Sequence, residues 1–438
     1  MKRFRFAAFC ALALLLLAPS ARAAETLTLE QAVLRALERN PSMQAARAEL
    51  AGAGYGRKAA MGSFGPALTT GYGFTHRDHR KPRRDLATSE QDIYAWNFNA
   101  HQDLFTGFQL LSTYERAALS EESAASSIRN AELSLVQSVQ QNFLALLKAR
   151  ADVKSGEDSV ARLQEQLKVT TAFYDVGLKP RLDVLQAEAD LAKAEDTLLQ
   201  ARNSVATQIA RLNTLLDMPL DADADYVGQL EYLPCSLALD QALAGAMKNR
   251  PDLDIAQKSV EIARKDKKIV DSAFYPSLGA DYDQSRTGNG MDVQGSPLAR
   301  TEWSEWSVSV SASWTFFEWG KTLNESRQAG QTITQMEAER RNLEQEVTYE
   351  VKANHLKIGE AAERIKVTRK ALDQAREAYR MAVARYQAQV GTNADVLDSQ
   401  FQLSRAEADL TQALADYQLA VANLYVSIGE KNPGLMVN

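Results

Sequence analysis

The residues from which a reaction centre could be built are few and scattered. The four histidines are His76, His79, His101 and His355. His76 and His79 stand three apart in "HRDHRKPRR", with Asp78 as the nearby carboxylate, too few ligands for a zinc set. A basic loop of that kind touches lipid phosphates or is simply solvated. Asp221, Asp223 and Asp225 alternate in "DADADYVGQLEYLPCS", but this stretch lacks the glycine and closing glutamate of a calcium loop and reads as solvated linker. The two cysteines are Cys10, inside an apolar run, and Cys235. No nucleophile elbow, phosphate loop or zinc motif occurs. The chain is therefore expected to be no enzyme and to need no cofactor or metal. With 24% charged residues and a formal net charge of −6, it also lacks the basic excess of a nucleic-acid binder.

Function must then come from architecture, and the first residues set the compartment. Lys2, Arg3 and Arg5 precede an apolar run from Phe6 to Leu17, followed by Ala21-Arg22-Ala23. A charged region, an apolar region and a small-residue cleavage site together make residues 1–23 a signal peptide. The apolar run is shorter than the ~20 residues that a membrane span needs. Its removal leaves Cys235 as the only thiol, which cannot staple the fold. No later stretch is long and apolar enough to be a transmembrane helix, so any membrane-inserted form must be a β-barrel.

The chain is written twice. "LEQAVLRALERNP" (29–41) returns as "LDQALAGAMKNRP" (239–251), "FGPAL" (64–68) as "FYPSL" (274–278), and "LDVLQAEADLAKAE" (182–195) as "ADVLDSQFQLSRAE" (394–407). The offset stays near ~210 residues throughout, the mark of two structural repeats. Residues 24–220 form the first repeat, 221–236 a linker, 237–430 the second repeat and 431–438 a tail. Each repeat reads as helix, strand, loop, strand, long helix, turn, long helix. The opening helices are expected over about 28–62 and 237–273, ending before Pro66 and Pro276.

The strands alternate. In "SVSVSASWTFFEWG" (307–320), Val308, Val310, Ala312, Trp314 and Phe316 fall on one face, and serines and a threonine on the other. Leu68, Thr70, Tyr72 and Phe74 alternate in the same way, as do Tyr94, Trp96, Phe98 and Ala100, and Leu278, Ala280 and Tyr282. A soluble sandwich also alternates. Strands of about ten residues with aromatic faces suit a tilted membrane strand instead. Two hairpins far apart in the chain are poor material for a sandwich. Four strands cannot close a barrel, and a barrel of eight has its interior filled by side chains. Several chains must contribute hairpins, and a trimer supplies twelve strands, with Val308, Val310, Trp314 and Phe316 toward lipid and the serine face toward water.

After each hairpin the sequence runs for some sixty to seventy residues almost free of Pro and Gly, on the order of 100 Å of helix. The returning helices carry heptads. Val184, Leu191, Leu198, Val205 and Leu212 interleave with Ala187, Ala194, Ala201, Gln208 and Leu215. Val396, Leu403, Leu410, Tyr417 and Leu424 interleave with Ser399, Ala406, Ala413, Ala420 and Ser427. Large residues at one seam position and small ones at the other let helices pack knobs-into-holes. Such hairpins also suit a periplasmic coiled-coil adaptor or scaffold without a pore, which stands as the alternative reading.

The ordered set of the duplicated "LEQAV…NP" and "LDQAL…RP", "LFTG" and "FFEWG" at the strand-to-helix junctions, and the turns "YDVGLKPRLDVLQAE" and "YQAQVGTNADVLDSQ" resembles the TolC family of outer-membrane channel proteins over essentially the whole mature chain. The resemblance implies a mixed α/β membrane protein: a homotrimer with a twelve-stranded transmembrane β-barrel, four strands per chain, continuous with a long antiparallel α-helical barrel. It implies an exit duct for efflux or type I secretion, set in the outer membrane of a Gram-negative bacterium and extending into the periplasm. Its partners would be a periplasmic adaptor and an inner-membrane transporter of ABC or RND type. By the same resemblance, Val176, Gly177, Leu178, Val390 and Gly391 lie in the adaptor-docking tip turns, where glycine permits a tight reversal between helices. Asp395 and Asp398 match an acidic constriction that would favour cations. Asp183 and Asp395 each also follow a turn, where Asp is a favoured N-cap. Asp183 and Tyr386 match partners in a gate network. Gly391 stands where relatives carry its arginine, so Arg181 or Lys179 is the expected replacement.

Overall fold

The computed structural model describes residues 25–78, 92–222, 224–288, 290–293 and 303–431. The signal peptide, the tail beyond Lys431, His79 and Asp223 lie outside the described residues. In chain order the elements are β1 (Glu25–Leu27), α1 (Leu29–Arg39), α2 (Pro41–Gly62), β2 (Ala67–His76), β3 (Asp92–Thr106), α3 (Gln109–Asp175) and α4 (Arg181–Leu215), then β4 (Ala224–Tyr226), α5 (Leu239–Asn249), α6 (Pro251–Asp271), β5 (Ser277–Gly288), β6 (Trp303–Ser313), α7 (Lys321–Gln387) and α8 (Asn393–Ile428). The second set repeats the first in type and order. Among the described residues no helix is long and apolar enough to cross a membrane.

The opening helix of each repeat is broken, where a single helix was expected. The cause is in the duplicated motif itself, because a residue before proline is pushed out of the α region. Asn40 (ψ 131°) separates α1 from α2, and Arg250 (ψ 121°) separates α5 from α6. Asn40 also caps the new start, its Oδ1 accepting from the Ser42 amide at 2.9 Å while its Nδ2 donates to the Leu215 carbonyl at 2.8 Å.

The chain divides into two compact units. The first comprises residues 1–43, 132–246 and 350–438. It holds the lower part of α3, all of α4 and α8, and the end of α7. Every residue of the two heptad seams in α4 and α8 is buried or partly buried. The linker, expected to be solvated, is exposed over most of residues 227–236 and is tied to this unit at particular points. Its β4 pairs in parallel with β1, Glu25 opposite Ala224 and Leu27 opposite Tyr226. Asp225 is bound by Arg150 at 2.9 Å, and the buried Tyr226 hydroxyl donates to Asn213. Beyond β4, the Tyr417 hydroxyl donates to the Leu233 carbonyl and accepts from the Cys235 amide, which holds the segment as a strap across α8.

The second unit comprises residues 44–131 and 247–349. It holds a four-stranded antiparallel sheet of order β2-β3-β5-β6. The two hairpins, far apart in sequence, therefore join edge to edge through β3 and β5. Salt bridges from Arg116, Lys258, Lys265 and Arg264 to Asp266, Glu122, Glu115 and Glu337 cross-brace its helices. The last strand is shorter than the alternation suggests. β6 ends at Ser313, and Trp314 and Phe316 lie past it. The Trp314 indole donates to the Phe274 carbonyl, and its ring meets Phe316 at 6.2 Å.

Candidate functional site

Two sets of residues carry the chemistry, one in each unit. In the sheet, the register brings the four alternating patterns into phase. Tyr72 pairs with Trp96 and Phe74 with Tyr94, Ala100 with Tyr282, and Tyr282 with Val308 and Ala280 with Val310. These residues therefore share one face. It is largely exposed among the described residues: Val308 is 66% and Val310 70% exposed, with Tyr72, Phe74 and Trp306 also exposed, and the Tyr72 hydroxyl donates to the Met291 carbonyl at 2.6 Å. The opposite face gathers Asn97, Asn99, His101, Asp281, Asp283, Ser307, Ser309 and Ser311. It is hydrogen-bonded within itself, Asn99 donating to Asp283 at 2.8 Å and the His101 ring meeting Asp281 at 2.7 Å. Among the described residues the outer edges, β2 and β6, each pair with one neighbour. Such a sheet is stable where its aromatic face meets hydrocarbon and its polar face meets water.

The second set is the pair of turns that close the long helical hairpins, both in the first unit. Each is a Schellman motif. At the end of α3, the Gly177 amide donates to the Tyr174 carbonyl and the Leu178 amide to the Phe173 carbonyl. At the end of α7, the Gln389 amide donates to Tyr386 and the Val390 amide to Arg385. The left-handed position is Gly177 (φ 76°) in the first turn but Gln389 (φ 62°) in the second. Gly391 was expected to relieve the second reversal by its backbone freedom, yet its φ is not positive. Its need for glycine is spatial, because an added Cβ would lie 3.1 Å from Arg385 Cβ and the Tyr386 nitrogen. Val176, Leu178 and Val390 are exposed.

Behind the turns lies a buried polar network. The Tyr386 side chain is fully buried, its hydroxyl donating to Thr170 Oγ1 at 3.2 Å and its ring packed at a tilt against Phe173, 5.5 Å between centroids. Burial raises its pKa, so the phenol stays protonated and available as a donor. Asn393 Oδ1 accepts from Gln166 at 2.9 Å and Thr170 at 3.3 Å, while its Nδ2 donates to the Asp183 carbonyl at 3.0 Å. Further along, Gln400 donates to Ser159, and Glu407 is held by Ser155 and Arg162. Sequence reasoning missed Gln166, Thr170, Asn393 and Gln400. The signal was present: Asn393, Gln400 and Glu407 recur every seven residues beside the apolar seam, a polar stripe that faces α3.

The expected gate residues are only partly brought together. Tyr386 sits in the network, but Asp183 reaches it through its backbone carbonyl. Arg181 is exposed, and its side chain makes no bond among the described residues. The cation that does approach is Lys179, 5.1 Å from the Tyr386 ring centre and 3.4 Å from the Gly391 carbonyl. Asp395 is not an N-cap. Thr392 caps α8, and Asp395 completes a capping box, its Oδ2 accepting from the Thr392 amide at 3.0 Å. That bond and the one from the Thr392 side chain hold the carboxyl below its ordinary pKa. Asp183 likewise lies inside its helix, after Pro180 at the cap position. Asp395 and Asp398 are both exposed, three residues apart on one face of α8. Among the described residues no His, Cys, Asp and Glu side chains converge as a metal set.

Three comparisons with known proteins bear on this geometry. The family model described as "Outer membrane efflux protein" matches residues 32–217 and 242–430. The alkaline protease secretion protein AprF of Pseudomonas aeruginosa is 25% identical over 397 residues, 89% of this chain and 82% of its own length. The outer membrane protein TolC of Vibrio cholerae is 23% identical over 373 residues, 83% of this chain and 81% of its own. The crystal structure of the outer membrane protein VceC from Vibrio cholerae superposes with a TM-score of 0.80 at 19% identity, covering 92% of this chain and 96% of that one, and it shares the fold.

Proposed function

This chain belongs to the outer membrane efflux protein family, and on that premise we propose that it is the homotrimeric exit duct of a tripartite efflux or type I secretion system. It is a channel of the Gram-negative outer membrane that reaches into the periplasm, a conduit and not an enzyme. The observation that carries the duct reading is the sheet: one exposed aromatic face, one polar face bonded within itself, and two edges that pair with no further strand among the described residues. Three copies joined β6 to β2 make a twelve-stranded barrel with Val308 and Val310 toward lipid and the Asn, Asp and Ser face toward a water-filled lumen. Trp314 and Phe316, past the strand end, join the aromatic girdle at the rim of the apolar band. The alternative reading, a periplasmic scaffold without a pore, leaves that face unaccounted for.

The helical turns then form the periplasmic tip. Val176, Gly177, Leu178, Val390 and Gly391 dock a periplasmic adaptor, which couples the duct to an ABC or RND transporter of the inner membrane. Asp395 and Asp398 from three chains form a constriction that attracts cations and repels anions. Tyr386 and Asp183 close the tip, with Lys179 taking the place of the absent arginine and Arg181 facing the neighbouring chain. The test is conductance of the detergent-purified protein in a planar lipid bilayer, with the reversal potential read under a potassium chloride gradient. Discrete cation-selective steps are expected. A monomeric product that stays soluble without detergent and forms no steps overturns the proposal.

A further inference from the structure

We infer that His101 is a specificity-determining residue of the duct: it is the one base on an otherwise acidic barrel wall, and release of its proton strengthens the preference of that wall for cations. The inference rests on the reading of the sheet as one stave of a water-filled barrel. The polar face of the sheet carries the carboxylates Asp103, Asp281, Asp283 and Glu305. Among the described residues, His101 is the only basic side chain at a polar-face position of the four strands.

The imidazole is built into this wall. Its Nδ1 lies 2.7 Å from Asp281 on β5, and its Nε2 lies 3.3 Å from Asp103 on its own strand. Gly279 leaves the space in which the ring sits, because an added Cβ there would come 3.0 Å from His101 Cε1. The flanking strands offer nothing that titrates beside it. Ala67 on β2 pairs with His101, and Ser309 and Ser311 on β6 pair with Asp281 and Gly279. The next carboxylate along β5, Asp283, accepts from Asn99. At the foot of the sheet Asp103 shares a cavity with Glu318, Glu325 and Lys321, whose ammonium lies 3.9 Å from Glu318. The His101 side chain is 42% exposed, so protons and ions reach it from water.

Only the imidazolium donates from both ring nitrogens, so both carboxylates are answered together only in the protonated state. The neutral ring keeps one N–H and turns a lone pair toward the other carboxylate. Proton loss therefore removes the single positive charge from a wall of four carboxylates per chain. A more negative lumen concentrates cations and excludes anions more strongly. The carboxylates stay ionised above about pH 5, so between about pH 5.5 and 9 the imidazole is the group on this wall that changes charge.

The test is the potassium-to-chloride permeability ratio of the purified channel in planar bilayers. It is read from the reversal potential under a low-salt potassium chloride gradient, where charges are least screened. Between about pH 5.5 and 9 the wild-type ratio is expected to rise about twofold, the effect of one unit charge per chain on a wall of four. His101→Gln should hold the high-pH ratio throughout and His101→Lys the low-pH ratio. His76→Gln and His355→Gln, which alter the other described histidines, should follow wild type. Oligomer mass is checked for each variant. The same rise should appear in an Asp398→Asn background, in which the tip carries less charge. A flat profile in both backgrounds overturns the inference without recourse to any His101 variant, and so does a His101→Gln channel that keeps the wild-type rise. In either case a cation-selective pore leaves the duct reading standing. A wild-type protein that forms no pore overturns the duct reading, and the inference falls with it.

Discussion

At the residue scale, the second tip turn pairs one residue under backbone strain with one under spatial constraint. Gln389 aligns with Gly177 and adopts the same left-handed conformation, which costs a side-chain-bearing residue roughly 1–2 kcal/mol. Gln389→Gly should therefore stabilise the turn, by ~0.5–1 kcal/mol after the added freedom of glycine in the unfolded chain is counted. Gly391→Ala should destabilise it by ~1–3 kcal/mol, because the new methyl crowds Arg385 and Tyr386. Hydrogen exchange at the Gln389 and Val390 amides, the two donors of the motif, reads both effects, and the reverse order would refute the assignment. Asp395 makes a prediction about pH. Its carboxyl is held below the ordinary value by the Thr392 bonds. The capping box is thus intact above the unfolded-state pKa and is lost as pH falls through the lower folded value. Protection of the first turn of α8 should be flat at neutral pH, decline only below about 4, and lose that dependence in Asp395→Ala. Asp398 has no capping partner, so Asp398→Asn should lower cation selectivity in the bilayer while leaving that protection unchanged.

At the element scale, what was legible had an apolar period, and what was missed was either too short to show one or hidden by the period of its neighbours. The hairpins announced themselves by strict alternation, and the register then placed every aromatic strand face on one side of the sheet. The long helices followed from unbroken runs with heptad seams, none of whose members in α4 or α8 is exposed. β1 and β4, three residues each, are too short to show alternation and form only because the chain ends of the first repeat meet. The break at Asn40 and Arg250 was written in the "NP" and "RP" dipeptides, but helical periodicity on both sides masked it. β6 stops at Ser313 although its alternation runs on to Phe316, since side-chain pattern persists where backbone pairing has ended. Gln166, Thr170, Asn393 and Gln400 were missed because a buried polar side chain in a heptad looks like a solvent-facing one until its partner helix is known. The sheet reading is tested by moving one charge across one strand. Val310→Arg places it on the apolar face, at ~2–4 kcal/mol near a bilayer midplane, and should cut the yield of assembled protein in outer-membrane fractions. Ser309→Arg, one residue away on the polar face, should assemble normally. Equal losses in the two would remove the distinction between the faces.

At the scale of the whole molecule, the proposed trimer is argued from the sheet. The strand order β2-β3-β5-β6 is antiparallel throughout, so β6 runs opposite to β2. The β6 edge can therefore pair antiparallel with the β2 edge of a second copy in the same orientation. A head-to-tail contact of that kind closes into a ring or grows without limit, and sheet curvature favours closure. Two copies give eight strands, whose interior is filled by side chains. The face that would fill it carries Asp281, Asp283, Asn97 and Asn99, which cannot be packed dry without unpaired polar groups. Three copies give twelve strands and room for water beside those groups. Light scattering of the detergent-solubilised protein, corrected for bound detergent, should give three chains per particle at all protein concentrations where the particle survives. Each chain should contribute both edges, so cysteines placed one on β2 and one on β6 should cross-link between chains and never within one. A two-chain particle, or cross-links confined to single chains, would show that the polar face is a packed interior and that the edges close in some other way.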